Sequence, residues 1–254
     1  MKNRVFLFLF LGAVSAAAQV SPMGDYIDKA SVERAVLEGR FTSTPQPQNY
    51  SGGSVVSAAE LSVPPRAKKE FDKGNEAFEK GDFIQARNRL SKAISLYAKS
   101  AGAYNNLAVV CARLGDHESE REALEKALDL DDRFALAYLN WGRMEIAGSN
   151  FREAESAFSK ATALDQNDST AAMLLAYSQF MQGNLQPAVA NSLRAHKLGK
   201  PHVFAHRIAA YSFVHLGQFD RAADELKLAI EEDPSGLQGK AARKEMEQLR
   251  AMSR

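Results

Sequence analysis

The sequence predicts an all-α solenoid of five helical hairpins, on three observations. Turn-forming residues recur every 34 residues, at Gly81-Asp82-Phe83, Gly115-Asp116-His117, Ser149-Asn150-Phe151, Gly183-Asn184-Leu185 and Gly217-Gln218-Phe219. Ahead of each turn stands a small residue, at Gly74, Ala108, Gly142, Ala176 and Ala210, where two helices have to approach closely. Behind the turn come alanine (Ala86, Ala154, Ala188, Ala222), a larger residue (Leu90, Leu124, Phe158, Leu226) and alanine again (Ala93, Ala127, Ala161, Ala195, Ala229). Spacings of four and then three hold these positions on one helical face. A fixed period of this length marks an array whose units each leave an apolar face for the neighbours to cover.

Taken in order, the chain opens with Lys2 and Arg4, an apolar run from Val5 to Val14 and the small residues Ala16-Ala17-Ala18. That pattern predicts a secretory signal peptide over residues 1–18 and a mature chain from Gln19; an uncleaved anchor is the alternative. Residues 19–65 form an N-terminal segment. Within it, residues 25–41 predict a short, weakly amphipathic helix through Tyr26, Ile27, Ala30, Leu37 and Phe41. Residues 42–57, with Pro45, Pro47, Gly52 and Gly53 among Ser, Thr and Gln, predict a flexible linker. Val63-Pro64-Pro65 opens the first repeat helix, since proline is tolerated only in a first turn.

Five units then occupy residues 66–236, at about 67–100, 101–134, 135–168, 169–202 and 203–236. Glu120 stands where alanine is usual and Ser192 where a large apolar residue is usual, so the second and fourth hairpins are expected to pack less tightly. Residues 237–254 predict a capping helix and tail, with Leu237, Ala241, Leu249 and Met252 on one side and Lys240, Arg243, Lys244 and Glu247 elsewhere.

Five units in phase, with this grammar of small and large residues, resemble the tetratricopeptide repeat (TPR) family, whose unit is a pair of antiparallel helices of about 34 residues. The resemblance covers Ala67 to about Gly236. It implies a right-handed α-solenoid whose concave wall is lined by the first helix of each pair and receives peptides or partner helices. On that wall the expected partner-binding residues are Phe71, Asn75, Phe78, Asn105, Val109, Arg113, Leu139, Arg143, Ile146, Met173, Tyr177, Phe180, Met181, Arg207 and Tyr211. The cluster Tyr177, Phe180 and Met181 makes the fourth unit the first expectation for the contact, because exposed apolar patches mark interaction sites. Co-chaperones of the family grip a C-terminal carboxylate here. Asn75 and Asn106 match two asparagines of that clamp, but Phe71 and Leu136 stand where its lysines would be and Asn140 replaces its arginine. No carboxylate clamp is therefore expected, while Arg113, Arg143 and Arg207 are placed to pair with acidic residues beside an apolar anchor.

The composition narrows the partner further. With 32 basic and 31 acidic residues the net charge is +1, which supplies no field for nucleic acid or an anionic membrane surface. Cys111 is the single cysteine, so no intramolecular disulfide forms and no lipid-anchor cysteine follows the signal peptide. Its place on a repeat helix predicts a buried, inert thiol. His202 and His206, four apart on a predicted helix, have no neighbouring acid to complete a hydrolytic zinc signature and are read as a solvated face; His117, His196 and His215 fall in unrelated places. No catalytic, cofactor or metal residue is assigned, and no cofactor is expected. The expected function is an exported, non-enzymatic scaffold, periplasmic or secreted, that binds a protein or peptide in its groove. The alternative is a component of an envelope machine (pilus, secretion or cell-wall complex) acting through its N-terminal tail or convex face.

Overall fold

The computed structural model describes residues 63–199 and 203–252. The signal sequence, the helix over residues 25–41 and the linker over 42–57 lie outside the described residues. Among the described residues there are eleven helices: α1 (Pro65–Glu79), α2 (Phe83–Leu96), α3 (Ala101–Leu114), α4 (His117–Leu130), α5 (Ala135–Ala147), α6 (Phe151–Leu164), α7 (Ser169–Met181), α8 (Leu185–Lys197), α9 (Val203–His215), α10 (Phe219–Glu232) and α11 (Leu237–Met252). They pair as five antiparallel hairpins, each stacked on the next, with α11 closing the far end. The array is a right-handed α-solenoid. None of these helices is long and apolar enough to cross a membrane.

The ends of the helices follow from local chemistry. Pro65 takes the first helical position of α1, where a missing N–H costs nothing. Asp82, Ser100, Asp116 and Asp168 cap the helices that follow them, each side chain accepting a backbone N–H that the first turn leaves unpaired. At every turn inside a hairpin one residue goes left-handed: Gly81, Gly115, Gly183 and Gly217, and Ser149 with φ 59°. Ser149 is thus a residue with a Cβ in a conformation that favours glycine.

Each hairpin closes where a small residue admits a large one. A Cβ on Gly74 would lie 2.8 Å from Leu90 Cγ, and one on Gly142 only 2.5 Å from a ring carbon of Phe158. Leu90, Leu124, Phe158 and Leu226 are all fully buried at the centre of their hairpins. In the first unit a polar tie joins them: Arg89 on α2 donates to the Glu70 carboxylate on α1 at 2.9 Å and holds its pKa below the usual value.

Two expectations change. The second and fourth hairpins close as tightly as the rest. Glu120 is buried and accepts from His117 Nδ1 at 3.2 Å, and Ser192 is buried with a hydroxyl that has no hydrogen-bond partner among the described residues. The sparsest junction lies between units, at α4 against α5, and there Arg121 reaches across to Glu145 at 3.3 Å and over the Trp141 ring. On α11, Leu237 is 73% exposed, so it does not belong to the docking face. That face is Ala242, Glu245, Met246 and Leu249, packed on α9 and α10.

Burial is uneven along the array. In α7 every residue from Ala171 to Gln179 is buried, and in α9 every residue from Phe204 to Phe213. Helices that are apolar on all sides are enclosed on all sides, and α7 sits among α6, α8 and α9. The buried hydroxyls of Ser178 and Ser212 are satisfied by the carbonyls of Leu174 and Ile208 one turn back.

Two substitutions test this account by urea unfolding. Gly142→Ala is expected to destabilise the protein by about 1–3 kcal/mol, because the new methyl drives into the Phe158 ring. Ser149→Gly is expected to stabilise it by about 0.5–1 kcal/mol, because the left-handed turn no longer carries a Cβ.

Candidate functional site

The residues expected to line a concave wall lie on α1, α3, α5, α7 and α9, and they divide sharply by burial. Phe71, Phe78, Val109, Arg113, Arg143, Phe180 and Met181 are half-buried, whereas Asn75, Asn105, Leu139, Ile146, Met173, Tyr177, Arg207 and Tyr211 are buried. Ile146, Met173 and Tyr177 lie in the largest core cluster at 0%, 0% and 1% exposure, so they have no surface to offer a ligand. The Tyr177 ring packs edge-on against Phe151 and against Phe204 of the next unit. Phe180 keeps some surface but leans on Tyr211 and His215. The densest aromatic cluster of the sequence is thus mostly packing between units four and five.

Arg207 is also removed from the wall. Its Nε donates to both carboxylate oxygens of Glu245 on α11 at 3.2 and 3.1 Å, and Nη2 donates to Glu245 at 2.5 Å and to Tyr211 at 3.2 Å. Gln238 takes a further bond from Nη1. Burial works against the Arg207 charge, but Tyr211 and Glu245 more than restore it, and its pKa lies above the usual value. Arg207 is the bolt that fastens the terminal helix, a role invisible without knowing where α11 docks.

The first three units hold five of the seven half-buried wall residues, Phe71, Phe78, Val109, Arg113 and Arg143. A chain of amides runs along it: Asn106 donates to Asn75 at 2.9 Å, Asn105 to Asn106 at 3.2 Å, and Asn140 to Asn105 at 2.8 Å. Arg143 Nη1 closes the ladder with a long bond to Asn140 at 3.4 Å. The asparagines that match half of a carboxylate clamp are therefore occupied with one another, tying three units together. The signal was present in the sequence, since Asn75, Asn106 and Asn140 recur on the inner helices.

Two cations stand over this ladder. The Arg113 guanidinium lies 6.0 Å from the centroid of the Phe78 ring. Arg143 still reaches solvent, yet burial pushes its pKa down to about 10; Asp168 partly offsets this and Arg113 adds to it. At that value the guanidinium stays charged near neutrality.

Away from the wall, the histidines differ most from expectation. His202 lies outside the described residues. His206 is 1% exposed rather than solvated, and His196, expected in an unrelated place, has its ring centroid 4.5 Å from that of His206. Glu225 and Glu232 of α10 complete the group. Cys111 is buried as expected, and burial, reinforced by Asp116, pushes its thiol up to about 11.

Known proteins agree with this architecture. Residues 71–133 match a family model described as tetratricopeptide repeat, and residues 148–229 match one described as anaphase-promoting complex, cyclosome, subunit 3. A comparison with curated proteins gives no match. Among solved structures, the chain is similar to YrrB, described as a TPR protein with an unusual peptide-binding site, at 18% identity over 74% of this chain and 98% of that one, TM-score 0.60. It is similar to PilW, a type IV pilus biogenesis factor, at 18% identity over 74% and 92%, TM-score 0.62. It is also similar to MamA from Desulfovibrio magneticus RS-1, at 17% identity over 68% and 98%, TM-score 0.61.

Arg207→Ala is expected to lower stability by about 3–5 kcal/mol in chemical denaturation, since it strands the buried Glu245 carboxylate. Cys111 is expected to resist alkylation at pH 8, where roughly one thiol in a thousand is ionised, and to react at once when the chain is unfolded in urea.

Proposed function

We propose that this chain, which belongs to the tetratricopeptide repeat family, is an exported scaffold that binds a peptide or helix in the concave wall of its first three units. The partner presents an acidic residue beside an apolar anchor. The observation that carries this reading is the half-buried Arg143, set beside Arg113 and the half-buried Phe78 and Val109 above an amide ladder that is already self-satisfied. A carboxylate meeting Arg143 gains a charge-assisted bond in a place where water competes poorly. Phe78 and Val109 supply the apolar seat.

Export rests on the basic start, apolar run and small-residue site of residues 1–18, and it assigns the partner to the periplasm or the exterior. A second reading, an assembly component of an envelope machine acting through residues 19–58, draws on that tail and on the likeness to a pilus biogenesis factor.

Partner capture from an envelope extract separates the two. Arg143→Ala and Arg113→Ala are each expected to reduce recovery of captured partners by about tenfold or more, the effect of losing one charge-assisted contact of about 1.5–3 kcal/mol. Far-UV circular dichroism and melting should stay unchanged, and the outward-facing Lys92→Ala should behave as wild type. Full recovery by both arginine variants, combined with loss of partners on deleting residues 19–58, would replace the groove reading with the tail reading.

A further inference from the structure

Between the fourth and fifth units three potential donors converge from three helices. His196 is in the last turn of α8, His206 in the first turns of α9, and Glu232 is the final residue of α10. His196 Nδ1 lies 3.0 Å from His206 Nε2, and Glu232 Oε1 lies 3.3 Å from the first and 3.4 Å from the second. We propose that His196 Nδ1, His206 Nε2 and the Glu232 carboxylate form a binding site for a divalent ion of the zinc class, which clips the last two units together.

Four features support the site. Zinc–ligand bonds of about 2.0–2.1 Å at tetrahedral angles place donor atoms about 3.3–3.4 Å apart, and the three separations of 3.0, 3.3 and 3.4 Å fall close to that spacing. Two imidazoles and one carboxylate are a donor set that zinc takes, with water in a fourth position. The outer shell is in place: His206 Nδ1 faces Glu225 Oε2 at 2.7 Å, and donating there turns the lone pair of Nε2 toward the other two donors. Finally, the second oxygen of Glu232 is buried with no hydrogen-bond partner among the described residues, and the water in the fourth position of the ion could donate to it.

Charge points the same way. Two carboxylates, Glu225 and Glu232, face a histidine whose side chain is 1% exposed, and they are themselves only 12% and 19% exposed. A divalent cation balances that pair while both imidazoles stay neutral. The His196 side chain is 44% exposed, so the ion enters and leaves from its side. The rival arrangement is a bare hydrogen bond between the two rings, with a proton where the ion would be.

The test uses the full untagged chain, stripped with chelator and titrated with Co2+ and then Zn2+. The expected result is one equivalent of Co2+ bound with ligand-field absorption of a tetrahedral site, bleached by Zn2+, and a melting temperature raised by Zn2+. His196→Ala, chosen because that side chain is 44% exposed, and Glu232→Gln should each weaken Zn2+ at least tenfold and abolish the thermal shift. Glu225→Gln should weaken it about 10–100-fold as an outer-shell residue. Binding no tighter than millimolar, or binding and thermal shift unchanged in a folded His196→Ala, would overturn the site and leave the two rings sharing a proton.

Discussion

The structure depends first on one steric constraint: within a hairpin, a small residue on the first helix admits a large side chain from the second. Gly74 admits Leu90 and Gly142 admits Phe158, at separations that leave no room for a methyl group. Repeating that approach every 34 residues sets the stack, and the stack buries the faces that a lone hairpin would leave open. The fourth unit shows the tolerance of the scheme. Ser192 takes the place of the large residue and is still buried, on a helix packed between α7 and α9.

Apolar interlock holds each hairpin, whereas polar ties do much of the work of registering units against one another. The amide ladder links α1, α3 and α5, Arg121 spans the sparse junction of α4 with α5, and Arg207 fixes α11 to α9. Directional bonds suit this task, since an apolar face can slide along its neighbour while a hydrogen-bonded pair cannot. The histidine cluster occupies the corresponding place between the last two units.

The same winding decides what remains available to a partner. In units four and five the inner helices are largely enclosed, so Tyr177, Phe204 and Phe213 serve the core while Phe180 keeps part of its surface. In units one to three Phe71, Phe78, Val109, Arg113 and Arg143 of the inner helices stay half-buried. Burial there also acts on charge, lowering the pKa of the Arg143 guanidinium.

The sequence by itself determined the architecture: the period, the turn residues, the small and large positions of each hairpin and the buried thiol of Cys111 are local patterns read at fixed spacing. Its grasp weakened wherever a residue's role depends on a neighbour distant along the chain. Nothing at Arg207 announces Glu245, and nothing at His196 announces His206 and Glu232, because these pairs meet only once α8, α9, α10 and α11 are packed. Tyr177 obeys the spacing of a wall residue and yet is core, since helical position gives a direction while burial depends on what the next unit places there. Which polar groups pair, which rings are covered and which cations keep some surface were decided by the tertiary structure alone.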